Sequence, residues 1–247
     1  VAGTRYRIVR AKEYVGLDVH GDVEQPRPTD REPVTPDWAR AVASPRIDEG
    51  LVLDPDAPVT PAQAAERLAL RTLAYTGTRF PDAVLTESHR ALETHPEVLL
   101  LPAAFAVVER ESGGNWSPGS SLHASAHDAR RTLDFALTWW EPRKRGLIPF
   151  EVDHQTDART LTAKGTDPAV TELAALAEAV DRLRAGRLNQ IEVQGTVSRV
   201  ARIRRLLRWG PDGPEGPRPS DVNQNEPSQI RPSLGEDGNI HFEDGTI

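Results

Sequence analysis

Hydrophobic positions along this chain fall into short runs of differing period, set apart by stretches rich in proline and glycine. Alternation at Tyr6 and Ile8, followed by Val9, predicts an opening strand. Thr35 and Pro36 suit the cap and first position of a short helix running through Val42. SPRIDEGLVL then reads as a return strand ending at Leu53. Thr60-Pro61 starts a helix over 62–70 with Ala65, Leu68 and Ala69 on one face. Thr72–Tyr75 reads as one strand of a hairpin that turns at Thr76-Gly77 into Arg79, Phe80 and Ala83–Leu85, with a short helical piece ending at His95-Pro96. The segment from Glu97 to Val108 is apolar on nearly all sides and reads as the most buried element, a helix interrupted by Pro102.

Further on, Leu133, Phe135, Ala136, Leu137 and Trp140 make 128–140 an amphipathic helix that Pro142 should stop. Leu147 to Val152 reads as a buried strand. The clearest helix is 168–184, with Asp167 as its cap, Pro168 at its first position and Gly186 just past its end. Its stripe of Val170, Leu173, Leu176, Ala177, Val180 and Leu183 suits packing on one neighbour, a second copy of itself among the options. Gln190 to Val197 alternates as a short strand, and Ser198 to Leu207 is basic with Val200, Ile203, Leu206 and Leu207 at helical spacing. The pattern predicts an α+β chain of small strand-and-helix modules, a C-terminal amphipathic helix and an extended C-terminal arm. It divides into an N-terminal module (1–53), a linker (54–61), a central hairpin-plus-helix domain (62–160), a helical segment with an Arg-rich end (161–209) and the arm (210–247).

Composition changes this picture in three ways. The 247 residues suffice for one large domain or two small ones, but 21 prolines place part of the length outside any core. There is no cysteine, which excludes disulfides, thiolate metal sites and a cysteine nucleophile. The chain also lacks methionine and begins with Val1, which fits a GTG start read as Val or a trimmed initiator. Of 30 basic residues only Lys12, Lys144 and Lys164 are lysine, a bias expected of a high-GC genome. The net charge of −7 favours solubility and argues against a protein that coats nucleic acid over its whole surface. No apolar run of membrane-spanning length and no secretory signal are legible, so the expectation is a soluble, unexported protein without membrane contact.

Candidate chemistry is sparse. No phosphate loop, dinucleotide fingerprint or nucleophile elbow occurs, so no cofactor and no small-molecule substrate are expected. His123 and His127 stand four apart, but Ala124 replaces the glutamate of the zincin pattern, and no metal site is expected. From Arg182 to Arg208 the chain is strongly basic with only Glu192 in opposition. Arg199, Arg202, Arg204, Arg205 and Arg208 are therefore the residues expected to meet an acidic subunit surface or DNA phosphates. Trp139-Trp140 reads first as core, with one of the two as an interface anchor in the alternative. The arm from Gly210 is too polar to offset its own ordering entropy. A neighbouring subunit is expected to hold it, with Ile240, Phe242 and Ile247 as an added strand.

Two local resemblances follow. Glu111-Ser112-Gly113-Gly114-Asn115-Trp116 resembles the catalytic-glutamate motif of lytic transglycosylases, which implies Glu111 as a general acid at a helix end in apolar surroundings. The family's following segment and aromatic hairpin are missing. Gly77, Val84, His89, Leu92, His95, Pro96, Leu99 and Phe105 resemble a module of virion structural proteins of tailed phages from high-GC hosts, with a looser echo in 1–53. That resemblance implies a non-enzymatic head-to-tail connector or capsid accessory protein. Its partners would be copies of itself and portal, capsid or tail components, its location the virion, assembled in the host cytoplasm.

Overall fold

The computed structural model describes residues 6–30, 32–33, 35–39, 42–161 and 168–222, together with the backbone of 230–234 and 240–244. Two fifteen-residue strands, β2 (Glu97–Glu111) and β5 (Thr196–Gly210), pair antiparallel along their whole length and form the centre of the fold. β1 (Ala11–Val15) flanks β5, and β3 (Ser117–Pro118) flanks β2, giving the order β1-β5-β2-β3. The short strands β4 (Gln190–Val193) and β6 (Gly213–Pro214) pair with the two ends of β5. The helices are α1 (Pro61–Leu70), α2 (Asp82–Thr94), α3 (Ala126–Phe135), α4 (Glu141–Lys144), α5 (Ala158–Leu161) and α6 (Pro168–Gly186). A separate hairpin pairs β7 (Ile230–Leu234) with β8 (Ile240–Asp244). The chain is thus α+β, and one sheet takes strands from the N-terminal, central, Arg-rich and C-terminal segments alike.

Several predicted elements are as expected. α1 begins at Pro61 behind a capping box, in which Gln63 N–H donates to Thr60 Oγ1 (3.3 Å) and Thr60 N–H to Gln63 Oε1 (2.9 Å). α6 buries Leu173, Leu176, Val180 and Leu183. Its stripe is taken up by the chain's own core rather than by a second copy. Leu183 and Ala179 meet Phe105, Val107 and Val200 of the sheet and Ala129 and Leu133 of α3. Over the opposite side Val23 and Trp116 pack on Val108, Ala201 and Ile203.

Other predictions are corrected. Glu97 to Val108 is strand, not helix, and Pro102 is the reason: inside a helix its ring would clash and a hydrogen bond would be lost. In β2 it sits at a β-bulge, where register shifts between Leu101 and Ala104. Ser198 to Leu207 is likewise strand. Gln190 to Val197 is not one strand but a turn of β-hairpin, with Gln194 at φ 54° and Gly195 at φ 79° giving the two left-handed positions of a two-residue loop. The expected hairpin over Thr72–Leu85 is absent: 72–81 is turn and coil, and Ala83–Leu85 lies in α2. The expected helix from Thr35 is absent from residues 35–39 and 42, whose backbone groups are used elsewhere. Arg131 Nη2 donates to the carbonyls of Ala39 (2.8 Å) and Val42 (2.6 Å), and Asp37 takes the Ala39 N–H. SPRIDEGLVL is turn and coil rather than a return strand, and Leu147–Val152 is a turn that buries Ile148 alone completely.

Candidate functional site

The Arg-rich strand does not present a free basic surface. Asp22, Glu24, Asp30 and Asp48, all ahead of α1 in the chain, carry the opposing carboxylates. Arg199 meets Asp22 at 3.1 Å, Arg202 meets Asp30 at 3.1 Å, Arg204 meets Glu24 at 2.6 Å and Arg205 grips Asp48 with both terminal nitrogens at 2.8 Å. Glu66 of α1 adds a second acceptor for Arg204 at 2.8 Å. Hydrogen bonding from Arg205 holds the Asp48 carboxyl below the usual range. Burial would raise Glu24, but Arg204 and Arg27 outweigh it and hold it low. Arg208 is fully buried and meets carbonyl oxygens instead, those of Leu70, Arg71, Leu73 and His95. These five arginines join the strand to its own chain, and a DNA backbone or a partner's carboxylate would have to displace the acceptors that Arg199, Arg202, Arg204 and Arg205 already hold.

The first part of the arm is held by the same chain. β6 pairs with the end of β5, Arg10 Nε donates to Asp221 at 2.8 Å, and Ser220 bonds Glu87. For residues 211–222 the expectation of a neighbouring subunit as support is therefore corrected: ion pairs and sheet bonds supply what the polar composition lacks. Ile240 and Phe242 stand in β8, whose backbone pairs with β7. Ile247 lies outside the described residues.

Glu111 is the exposed last residue of strand β2, followed by a turn at Gly113. The helix end and apolar pocket that a general acid needs are not what surrounds it. His127 is buried, with Nε2 2.9 Å from the Asp37 carbonyl and its ring edge-on to Trp38. Beside it a cleft of about 880 Å³ opens under segment 29–49, floored by Pro102 and Phe105. Three of its five carboxylates are engaged in ion pairs, Asp30 by Arg202, Glu32 by Arg130 and Asp128 by Arg131.

A more distinctive surface surrounds Trp139 and Trp140. α3 runs into a π-helical turn, Ala136–Trp140, closed by the Glu141 N–H bonding the Ala136 carbonyl, and α4 continues it. Pro142 thus does not stop the helix. The wider turn comes just before its ring, where an ordinary helix would bring it against the Thr138 carbonyl. The inserted turn builds an aromatic ladder. Trp139 stacks on Phe135 at 5.1 Å and on His154 at 5.8 Å, and Trp140 meets Phe150 edge-on at 6.4 Å. Buried Arg143 lies 4.2 Å over Trp139 and donates to the carbonyls of Asp153 and Thr156, bracing the loop that carries Phe150. Trp140 is 45 % exposed and Phe150 56 %. The doublet is legible in sequence; Phe150 lies in a turn rather than in the expected buried strand, with Gly146 at φ 72° before it and Pro149 beside it.

At the other end of the sheet sits a buried lysine. Lys12 of β1 lies 5.5 Å over the Tyr75 ring, facing Arg10 just before its own strand, Arg208 of β5, and Glu215 and Arg218 beyond β6. Burial, then Arg208 and Arg218, push its ammonium down to about 8. A lysine whose folded value lies below its unfolded one opposes folding while charged, and that cost is relieved as pH rises through about 8 toward 10.5. In chloride buffer the unfolding free energy should therefore climb between pH 8 and 9.5, on the order of 1 kcal/mol, and Lys12→Met should remove that rise. Equal slopes for parent and variant in denaturant titrations would contradict this.

A family model described as "Family of unknown function (DUF5954)" matches residues 1–224. The chain belongs to that family. No curated protein matches it, and no solved structure does. The DUF5954 match takes in the sheet, the arginine pairs, the aromatic ladder and the Lys12 cluster, and stops before β7.

Proposed function

We propose that this protein is a non-enzymatic structural protein that works by self-association, with the aromatic face around Trp140 and Phe150 as the contact between copies. The observation that carries the reading is that face: two large rings, each about half exposed, standing on a braced helical platform. Rings already held in place lose little conformational freedom on binding, and such residues dominate interface energetics. The rim supports a second copy as the occupant. Exposed Lys144 pairs with half-buried Glu141 at 3.6 Å and exposed Arg145 pairs with Glu172, so both signs lie on the rim. A two-fold arrangement lets these pairs be exchanged between copies.

Sedimentation velocity over a concentration series tests the proposal. The parent should form a concentration-dependent dimer, and the double variant Trp140→Ser, Phe150→Ser should associate about a hundredfold more weakly with unchanged circular dichroism. A parent that stays monomeric throughout, or a double variant that associates equally well, would overturn it. The virion role is the narrower form of this proposal and rests on the sequence likeness at Gly77–Phe105. Mass spectrometry of purified phage particles against host cytoplasm tests that narrower form, which fails if the chain is confined to the cytoplasmic fraction.

A further inference from the structure

Guanidinium nitrogens gather beside Lys12 with nothing to donate to. Nη1 of Arg10, Nε of Arg208, and Nη1 and Nη2 of Arg218 are shut off from solvent and have no acceptor among the described residues. Arg208 is wholly buried, Arg218 is 8 % exposed and Lys12 6 %. The backbone brings these side chains together: Arg10 N–H donates to the Glu215 carbonyl at 2.8 Å, and Glu215 N–H donates to the Arg208 carbonyl at 2.9 Å. Lys12 is paired with Leu206, two residues from Arg208 on the same strand.

The charges do not balance. Arg10, Lys12, Arg208 and Arg218 are met by two carboxylates, and both are already engaged: Asp221 by Arg10 at 2.8 Å, and Oε1 of Glu215 by Arg218 Nε at 2.6 Å. Unpaired buried cations are among the most costly features a fold can carry, and folds that keep them usually supply a counter-charge. Oε2 of Glu215 is also buried and without a donor. The ligand that fits must therefore accept from several guanidinium nitrogens and donate one proton to a carboxylate.

We propose that Arg10, Lys12, Arg208, Arg218 and Glu215 form a binding site for inorganic phosphate. Its oxygens accept from the arginines, and its P–OH donates to Glu215 Oε2. Guanidinium groups suit tetrahedral oxyanions, because their fixed forks match pairs of oxygens. Sulfate has the same shape but carries no proton at neutral pH, so it leaves Glu215 unsatisfied and sets two acceptors against each other. Bound phosphate joins β1, the end of β5 and the segment 213–221, and supplies negative charge to a lysine that burial, Arg208 and Arg218 otherwise disfavour as a cation.

Isothermal titration and thermal unfolding of the full chain in phosphate, sulfate and chloride at matched ionic strength test the site. The parent should take up one phosphate saturably with a rising melting temperature, and sulfate should bind at least about tenfold more weakly. Lys12→Met and Arg218→Met should each weaken phosphate by about tenfold or more. In chloride, Lys12→Met should melt no lower than the parent, because it removes a repelling charge. Absence of saturable phosphate uptake by the parent, equal binding of sulfate, or parent-like affinity in both variants would each overturn the assignment. The parent titration alone decides the matter if a variant does not fold.

Discussion

Replacing Arg208 by Ala should destabilise the protein by on the order of 4 kcal/mol. The guanidinium is fully buried and holds the ends of two helices against β5. Nη2 is shared among the carbonyls of Leu73 (2.8 Å), Arg71 (3.1 Å) and Leu70 (3.3 Å), and Nη1 reaches the His95 carbonyl at 3.3 Å. Leu70 and Arg71 close α1 and His95 closes α2, so these are carbonyls that a helix cannot satisfy internally. A cation at a helix C-terminus is favoured by the dipole as well. Burial itself pushes Arg208 below its ordinary value, and Arg218 adds to that. Removing the charge relieves some repulsion, but orphaning several buried carbonyls and opening a cavity outweighs it. Arg208→Met, which restores volume but no donor, should recover less than half of the loss. Urea titration decides: an Ala variant within about 1 kcal/mol of the parent would show that water replaces the guanidinium at these helix ends.

Asp134→Ala should cost on the order of 2 to 3 kcal/mol. This buried carboxylate of α3 gathers α5 and α6, accepting from both terminal nitrogens of Arg159 (3.2 and 3.3 Å) and from Arg184 Nε. The loss is smaller than at Arg208 because the arginines have other recourse. Arg159 keeps Asp181 at 2.9 Å, and Arg184, partly exposed, lies over the Trp38 ring at 5.2 Å. Asp134→Asn keeps an acceptor and should lose about half as much. Hydrogen exchange in α6 should rise in step with the lost stability. A variant with unchanged α6 protection would mean that the apolar contacts of Leu173, Leu176 and Leu183 hold that helix by themselves.

Self-association is independent of phosphate uptake and of the Lys12 titration. The aromatic face belongs to the α3–α4 platform, and the cation cluster to β1, the end of β5 and the segment after β6. Trp140→Ser with Phe150→Ser should therefore leave phosphate binding unchanged, and Lys12→Met should leave association unchanged.

Local chemistry was legible wherever the deciding interaction lay within a few residues. Thr60 and Gln63 marked the start of α1, and the spacing of Leu173, Leu176, Val180 and Leu183 marked α6, because caps and helical stripes are properties of neighbouring positions. Gly195 carries a turn signal that the alternation of Ile191 and Val193 masks. Glu97 to Val108 shows its burial in its composition but not its strand conformation. A continuous apolar run has no period to distinguish strand from helix, and Pro102 is the only discriminating residue.

What the sequence by itself determined is the α+β class, the position of α1 and α6, the absence of thiol chemistry, and a strongly basic stretch from Arg199 to Arg208. Only the tertiary structure decided that this stretch is the central strand of a sheet, that its arginines face Asp22, Glu24, Asp30 and Asp48 from the other end of the chain, and that Phe150 joins Trp140 on an exposed face. The physical reason is range. A β-strand takes its hydrogen bonds, and an arginine its counter-charge, from partners that chain connectivity does not place nearby. No window along the sequence contains both members of a pair more than 150 residues apart, as Arg205 and Asp48 are.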